Sequence, residues 1–314
     1  MNADLGKKDF TAEEVAEQQS RLAELKAKLK LSWKELAGMT GIPDATIAAF
    51  TTGTYKGVVE NIAGRAYRFF VAYDEQKALE ATLPLEPDFQ QTPSALRMMV
   101  CLTLAHLGDM AVIAGAPGVG KTSVLIQYAA TRSPCWRATM APSTRGGPTM
   151  LAEILQAMGE KDAKGLPQIL SRRIRDRVRN SNGLLMIDEA QYLTQTALEE
   201  LRSIHDDTGL GIALVGDENL HVNLRKYPQL YSRIGVRHVQ ARPEQGDIRV
   251  LAEAWDIERG PELAYLLEIG RKGGGLRTIS KTMKLALRAA RAGGAPVTVG
   301  DLKDAFAQRY GEAA

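Results

Sequence analysis

Gly115-Ala116-Pro117-Gly118-Val119-Gly120-Lys121-Thr122 fits the pattern GxxxxGK[ST] at every specified position, and its flanks decide the fold. The apolar run Met110-Ala111-Val112-Ile113-Ala114 before it predicts a buried strand, and Ser123 to Tyr128 after it predicts the start of a helix. Glycines let such a loop curl so that successive backbone N–H groups face phosphate oxygens, and the helix N-terminus adds a dipole that favours anions. Between strand and helix the motif is a cradle for a nucleoside triphosphate, lined by Gly115 to Ser123. Lys121 is expected to reach the β- and γ-phosphates, and the Thr122 hydroxyl to ligate Mg2+.

The second half of the site lies downstream. Leu184-Leu185-Met186-Ile187-Asp188-Glu189 is an apolar strand pattern, neighbouring the first, that ends in two carboxylates. Asp188 is placed to hold Mg2+ with Thr122, and Glu189 to polarise an attacking water. A binding-only switch could keep the first acid and dispense with the second, so the pair points to hydrolysis. Ile212-Ala213-Leu214-Val215-Gly216-Asp217-Glu218-Asn219 is a further strand running into a polar tip. With Trp136–Met140 and Val236–Gln240, these strands alternate with helical patterns from Ser94 onward, the grammar of an α/β fold with a parallel sheet.

The flanks are helical. Ser32-Trp33-Lys34-Glu35 is a capping box, Gly41-Ile42-Pro43-Asp44 a turn, and Ala45 to Phe50 a second helix ended by Thr52-Gly53. That layout predicts a helix-turn-helix, or else a plain small bundle. Its second helix has no Arg, Lys, Asn or Gln between Asp44 and Thr52, so backbone rather than base contacts are expected, aided by nearby cations such as Lys56. Prolines 84, 87 and 93 mark a linker, and after Pro243 only helical patterns follow, at Ile248–Ile257, Glu262–Ile269, Leu276–Arg291 and Asp301–Tyr310. The expected domains are a helical DNA-binding domain (1–80), a linker (81–94), a nucleotide-binding core (95–242) and a C-terminal helical lid (243–314).

Composition narrows the class. Charged residues are 25% and apolar residues 45% of 314, and net charge is +3, which excludes a polybasic coat of nucleic acid. The charge is uneven, however: Lys161, Lys164, Arg172, Arg173, Arg175, Arg177 and Arg179 stand against Asp162 and Asp176, a patch suited to a phosphate backbone. No apolar run approaches a membrane span, Met1 to Lys8 lacks the apolar stretch of a signal peptide, and two cysteines fit a reducing cytoplasm. The four histidines show no metal-ligand spacing.

The arrangement resembles an AAA+ ATPase, and the domain order resembles the phage Mu transposition protein B family, with TniB, TnsC and IstB more distant. The residues that carry this likeness are Gly53-Thr54-Tyr55-Lys56-Gly57, Gly115 to Thr122, Thr139-Met140-Ala141-Pro142-Ser143, Gly183 to Ala190, Leu230-Tyr231-Ser232-Arg233-Ile234 and Gly275-Leu276-Arg277. The resemblance implies ATP and Mg2+ as ligands, with Asp217 or Asn219 as the sensor at the fourth strand. Arg233 is implied as the arginine finger reaching a neighbouring subunit, with Arg225 and Arg237 as alternatives, and Arg277 as the sensor on the lid. It implies a homo-oligomer, a helical filament on double-stranded DNA, which presents target DNA to a transposase inside a bacterial host. DNA contacts are implied at Ser143, Thr144, Arg145, Lys164, Arg172 and Arg173. A helicase loader and a nucleotide-switched transcription regulator share the same core and stand as alternatives.

Overall fold

The computed structural model describes residues 10–82, 84–293 and 296–310; the N-terminal octapeptide read above for a signal sequence lies outside them. The chain divides into two compact units, Met1–Pro84 and Leu85–Ala314.

The first unit is helical: α1 (Ala12–Lys28), α2 (Trp33–Thr40), α3 (Asp44–Thr51) and α4 (Val59–Thr82). The predicted capping box is formed, with Ser32 Oγ accepting from Glu35 N at 3.3 Å and Glu35 Oε2 accepting from Ser32 N at 2.8 Å. Gly41 ends α2 in the left-handed region (φ 69°), where a side chain would be strained, and Pro43 then starts α3. Ile47 and Phe50, three apart on α3, close onto Leu22, Leu36, Ile42, Ile62 and Phe70. The rest of α3 carries no cation.

In the second unit α5 (Pro93–His106) leads into β1 (Met110–Gly115), followed by α6 (Lys121–Thr131), β2 (Cys135–Thr139), α7 (Gly147–Ala157), α8 (Pro167–Val178), β3 (Leu184–Asp188), α9 (Gln195–Thr208), β4 (Gly211–Gly216), α10 (Leu220–Leu224), α11 (Pro228–Tyr231) and β5 (Ile234–Gln240). The sheet is parallel in the order β2-β3-β4-β1-β5. Strands β1, β3 and β4 are buried throughout because helices cover both faces, which is why they read as unbroken apolar runs. Their side chains still alternate. Met110, Val112 and Ala114 pack with α7, α8 and α9, whereas Ala111 and Ile113 pack with α5 and α6. The neighbour expectation for β1 and β3 is corrected: β4 lies between them, so Asp188 and Glu189 approach the loop from one strand away.

Four helices follow, α12 (Gln245–Glu253), α13 (Pro261–Gly270), α14 (Gly275–Gly293) and α15 (Val299–Tyr310), around Ile248, Leu266, Ile279, Met283 and Leu302. Helix α12 starts and ends earlier than the predicted Ile248–Ile257. The buried Asp247 carboxylate accepts from Glu244 N (2.7 Å) and fixes the start, and Asp256 turns left-handed (φ 62°) beyond the end. Asp247 also accepts from Ser94 N (2.8 Å) and Ser94 Oγ (2.6 Å), so the start of α5, the end of β5 and the start of α12 share one buried polar junction with Gln240. Among the described residues, no helix is long and apolar enough to cross a membrane.

Candidate nucleotide-hydrolysis site

The carboxyl ends of β1, β3 and β4 open on one side of the sheet, the edge where ligands bind in open α/β folds. There β1 passes into the glycine loop. Gly118 (φ 85°) and Gly120 (φ 97°) adopt left-handed conformations, and a side chain at 118 would strike the backbone oxygen of Gly274. Leu276 N donates to Gly118 O at 3.0 Å, so the N-terminus of α14 rests directly on the loop.

Lys121 Nζ donates to Gly115 O (2.6 Å) and Ala116 O (3.1 Å), which keeps the ammonium inside the curl of the loop. Burial pushes this ammonium below its ordinary pKa; Glu189, Asp188 and Asp217 oppose the shift in that order, and Arg277 adds to it. Four residues from three separate stretches of the sequence thus act on one charge, so the predicted catalytic groups at the ends of β3 and β4 and on α14 lie around the loop.

Asp188 is 2% exposed and accepts from Thr122 Oγ1 at 3.0 Å, with the Arg137 guanidinium of β2 at 3.7 Å. Burial pushes its carboxyl above the usual range, and the Thr122 hydrogen bond works against that shift. Glu189 follows in a left-handed conformation (φ 57°, ψ 36°), uncommon for a residue with a side chain and typical of strained functional positions. Its Oε2 accepts from Gln191 Nε2 at 2.5 Å. Asp217 sits just past β4, its carboxylate capping Asn219 N at 3.0 Å, and Asn219 itself is exposed at the start of α10. Of the two sensor alternatives, Asp217 is half-buried at the strand end and Asn219 is exposed.

Arg233 lies elsewhere. It immediately precedes β5, whose first residue Ile234 pairs with Met110 at the amino end of β1, whereas Gly115 pairs with Gln240 at the other end. Five strand steps at about 3.3 Å each put Ile234 roughly 16 Å along the sheet from the loop of its own chain, and Arg233 lies one residue further. There it donates through Nε to Asp206 Oδ1 at 2.7 Å, and Asp206 also binds Arg202 at 2.6 Å. Of the alternatives, Arg237 is in mid-strand with its guanidinium 4.1 Å over the Tyr231 ring, and Arg225 follows α10.

The residues predicted to touch DNA divide by environment. Arg145, Lys164, Arg172 and, in the first unit, Lys56 are exposed, and Ser143 is exposed with them. Thr144 is half-buried, its Oγ1 accepting from Ala141 N at 2.8 Å. Arg173 is held by Glu160, Arg175 by Glu200 and Asp207 (both 3.3 Å) and Arg179 by Asp207 (3.1 Å), so part of the basic stretch is internally neutralised. Two site residues escaped the motif reading: Arg137 beside Asp188, and Gln191 between Glu189 and β4. Only alternation along β2 hinted at the first; the position of Gln191, two residues past Glu189, was the sole signal for the second.

Comparison with known proteins places this geometry. A family model described as an AAA domain matches residues 105–224, and one described as Mu B transposition protein, C terminal, matches residues 232–308. The ATP-dependent target DNA activator B of Escherichia phage Mu is 31% identical over 282 residues, covering 88% of this chain and 89% of that protein. The chain belongs to the Mu B transposition protein family. A second Mu B relative, the Mu-like prophage FluMu DNA transposition protein B of Haemophilus influenzae, is 29% identical over 263 residues, covering 81% of this chain and 90% of that one. Among solved structures, the Aeropyrum pernix ORC2 protein superposes with a TM-score of 0.52 at 20% identity, covering 68% of this chain and 67% of that chain. The Walker-type ATPase paby2304 of Pyrococcus abyssi gives a TM-score of 0.52 at 16% identity, covering 72% and 75%. These two likenesses concern the fold alone. In this Mu B family ATPase, the AAA+ core carries the nucleotide loop and the helices from α12 onward carry the Mu B C-terminal match.

Proposed function

We propose that the chain is a DNA-stimulated ATPase that assembles head to tail on double-stranded target DNA and delivers that DNA to a transposase. The observation that carries this reading is the division of the site. Lys121, Asp188, Glu189 and Asp217 gather at the loop, while Arg233 stands at the far end of the sheet. An arginine so placed serves a neighbouring subunit's nucleotide, and a repeated contact of that kind builds rings or open helices. The phage relative's description as an ATP-dependent target DNA activator favours DNA as the template.

The loop from Gly115 to Ser123 binds the triphosphate through backbone N–H groups and Lys121. The donor set beside it fits Mg2+: a hydroxyl and a carboxylate oxygen 3.0 Å apart match the separation of about 2.9 Å between adjacent corners of an octahedron with Mg–O bonds near 2.0–2.1 Å. Thr122 and Asp188 would hold the ion, which when bound neutralises charge on the β- and γ-phosphates. Glu189 takes a proton from water as the water oxygen bonds to the γ-phosphorus and the bridging P–O bond breaks, its electron pair leaving on ADP. Arg277, on the helix that rests against Gly118, senses the γ-phosphate from the lid. The first unit acts as a helix-turn-helix that grips backbone, assisted by Lys56, and Ser143, Thr144, Arg145, Lys164 and Arg172 form the core's DNA surface, with Arg173 joining only if it leaves Glu160.

ATP turnover with and without plasmid DNA tests the reading. Glu189→Gln should lose roughly 100- to 10,000-fold in kcat, the usual worth of a positioned base, while still binding DNA in ATP. Unchanged turnover would overturn the proposal. Reversing Arg145 and Arg172 to Glu should weaken binding equally on unrelated sequences and flatten the log–log salt slope by about 0.9 for each phosphate no longer neutralised. Weakening confined to one DNA sequence would contradict it.

A further inference from the structure

One amide, that of Gln191, spans two strand tips. Its Nε2 donates to Glu189 Oε2 at 2.5 Å, and its Oε1 accepts the backbone N–H of Asp217 at 3.1 Å. A backbone N–H can only donate, so the amide oxygen must face β4 and the NH2 group must face Glu189. The crossing needs Gly216, where a side chain would collide with Gln191 Oε1 and stand 3.3 Å from Gln191 N. Glu189 has a left-handed backbone, and of the charges acting on Lys121 its own is the strongest. Among the described residues, Glu189 Oε1 accepts no hydrogen bond.

We infer that Gln191 is a positioning residue for hydrolysis, anchoring the Glu189 carboxylate to the tip of β4 so that Oε1 is presented to the attacking water. This rests on Glu189 being the base of the proposed reaction. The amide occupies one carboxylate oxygen and restrains its rotation; the other oxygen is left in the lone-pair geometry that a water proton requires. Because the same amide holds the N–H of Asp217, any shift of the β4 tip moves the base as well. The sensor strand and the base are thereby one mechanical unit.

Two variants test it, each with the Glu189→Gln enzyme as control. Gln191→Met keeps the length and removes both hydrogen bonds. It should lower DNA-stimulated kcat roughly 10- to 100-fold, the range seen when an outer partner that orients an active-site ligand is removed, with KM for ATP within about twofold of wild type. Gln191→Glu keeps the acceptor for Asp217 N–H but removes the donor to Glu189 Oε2. It should lower kcat by a similar factor, again with KM for ATP within about twofold of wild type. A purely structural glutamine would move KM and the thermal midpoint along with kcat. Wild-type or higher kcat in either variant, or a rise in KM as large as the fall in kcat, overturns the inference; if Gln191→Met does not fold, the kcat and KM of Gln191→Glu alone decide. Full turnover in Glu189→Gln would instead remove the reading on which the inference depends.

Discussion

The two ends of the central sheet are built differently. At the carboxyl end, Lys121 and Asp188 are so enclosed that burial moves both pKa values, and Thr122, Arg137 and Gln191 tie the acids in place. At the amino end, Arg233 is 48% exposed and its partner Asp206 29% exposed, an ion pair of the kind that adds little to stability. In the proposed mechanism, the groups assigned to their own chain's nucleotide are thus locked by their own chain, and the arginine assigned to a neighbour's is held by an ion pair that is easily exchanged.

The largest expected effect breaks that division directly. Arg233→Ala should lose roughly 1,000- to 100,000-fold in hydrolysis with ATP binding intact, the range for removal of an arginine finger. Mixing it with Glu189→Gln should restore activity, because a Glu189→Gln subunit supplies Arg233 to a neighbour whose Glu189 is intact. If the mixture stays inactive in a turnover assay, Arg233 does not work across subunits.

A smaller effect probes the buried end. Burial holds the Asp188 carboxyl above its ordinary range, so the folded state favours the protonated form. That contribution to stability is full at low pH and is lost as pH rises through the folded value. Asp188→Asn should therefore raise the thermal midpoint of nucleotide-free protein by a few degrees at neutral pH, about 2–4 °C per kcal/mol for a unit this size, and the advantage should shrink on acidification. A lower midpoint, read by calorimetry, would mean that the hydrogen bonds to Asp188 outweigh its burial. The smallest effect belongs to the exposed end. Asp206→Ala should change turnover by less than about threefold, since the two pairs it breaks, with Arg233 and Arg202, are surface pairs.

Much of this was legible in advance, and the reasons are local. The five strands fall within about two residues of their predicted ends because β1, β3 and β4 are apolar throughout and bounded by glycine, aspartate or turn residues. The Ser32 box and the Gly41 turn were visible because capping and left-handed turns depend on a few adjacent residues. The start of α12 was missed because the group that sets it, Asp247, is also held by Ser94, 153 residues away. The basic stretch was overcounted for a similar reason. Composition shows seven cations between Lys161 and Arg179, but not that Glu160, Glu200 and Asp207 fold back onto three of them.

The amino-acid order by itself determined the phosphate loop, the acid pair after an apolar strand, the alternation of strand and helix, and the family likeness. All are written in residue spacing, and backbone conformation responds to spacing. Tertiary structure alone decided that β4 separates β1 from β3, that Gln191 bridges Glu189 to Asp217, that Arg137 faces Asp188, and that Arg233 stands at the opposite end of the sheet from Lys121. Those facts follow from strand order and from which distant side chains share a buried volume, and no local pattern encodes either.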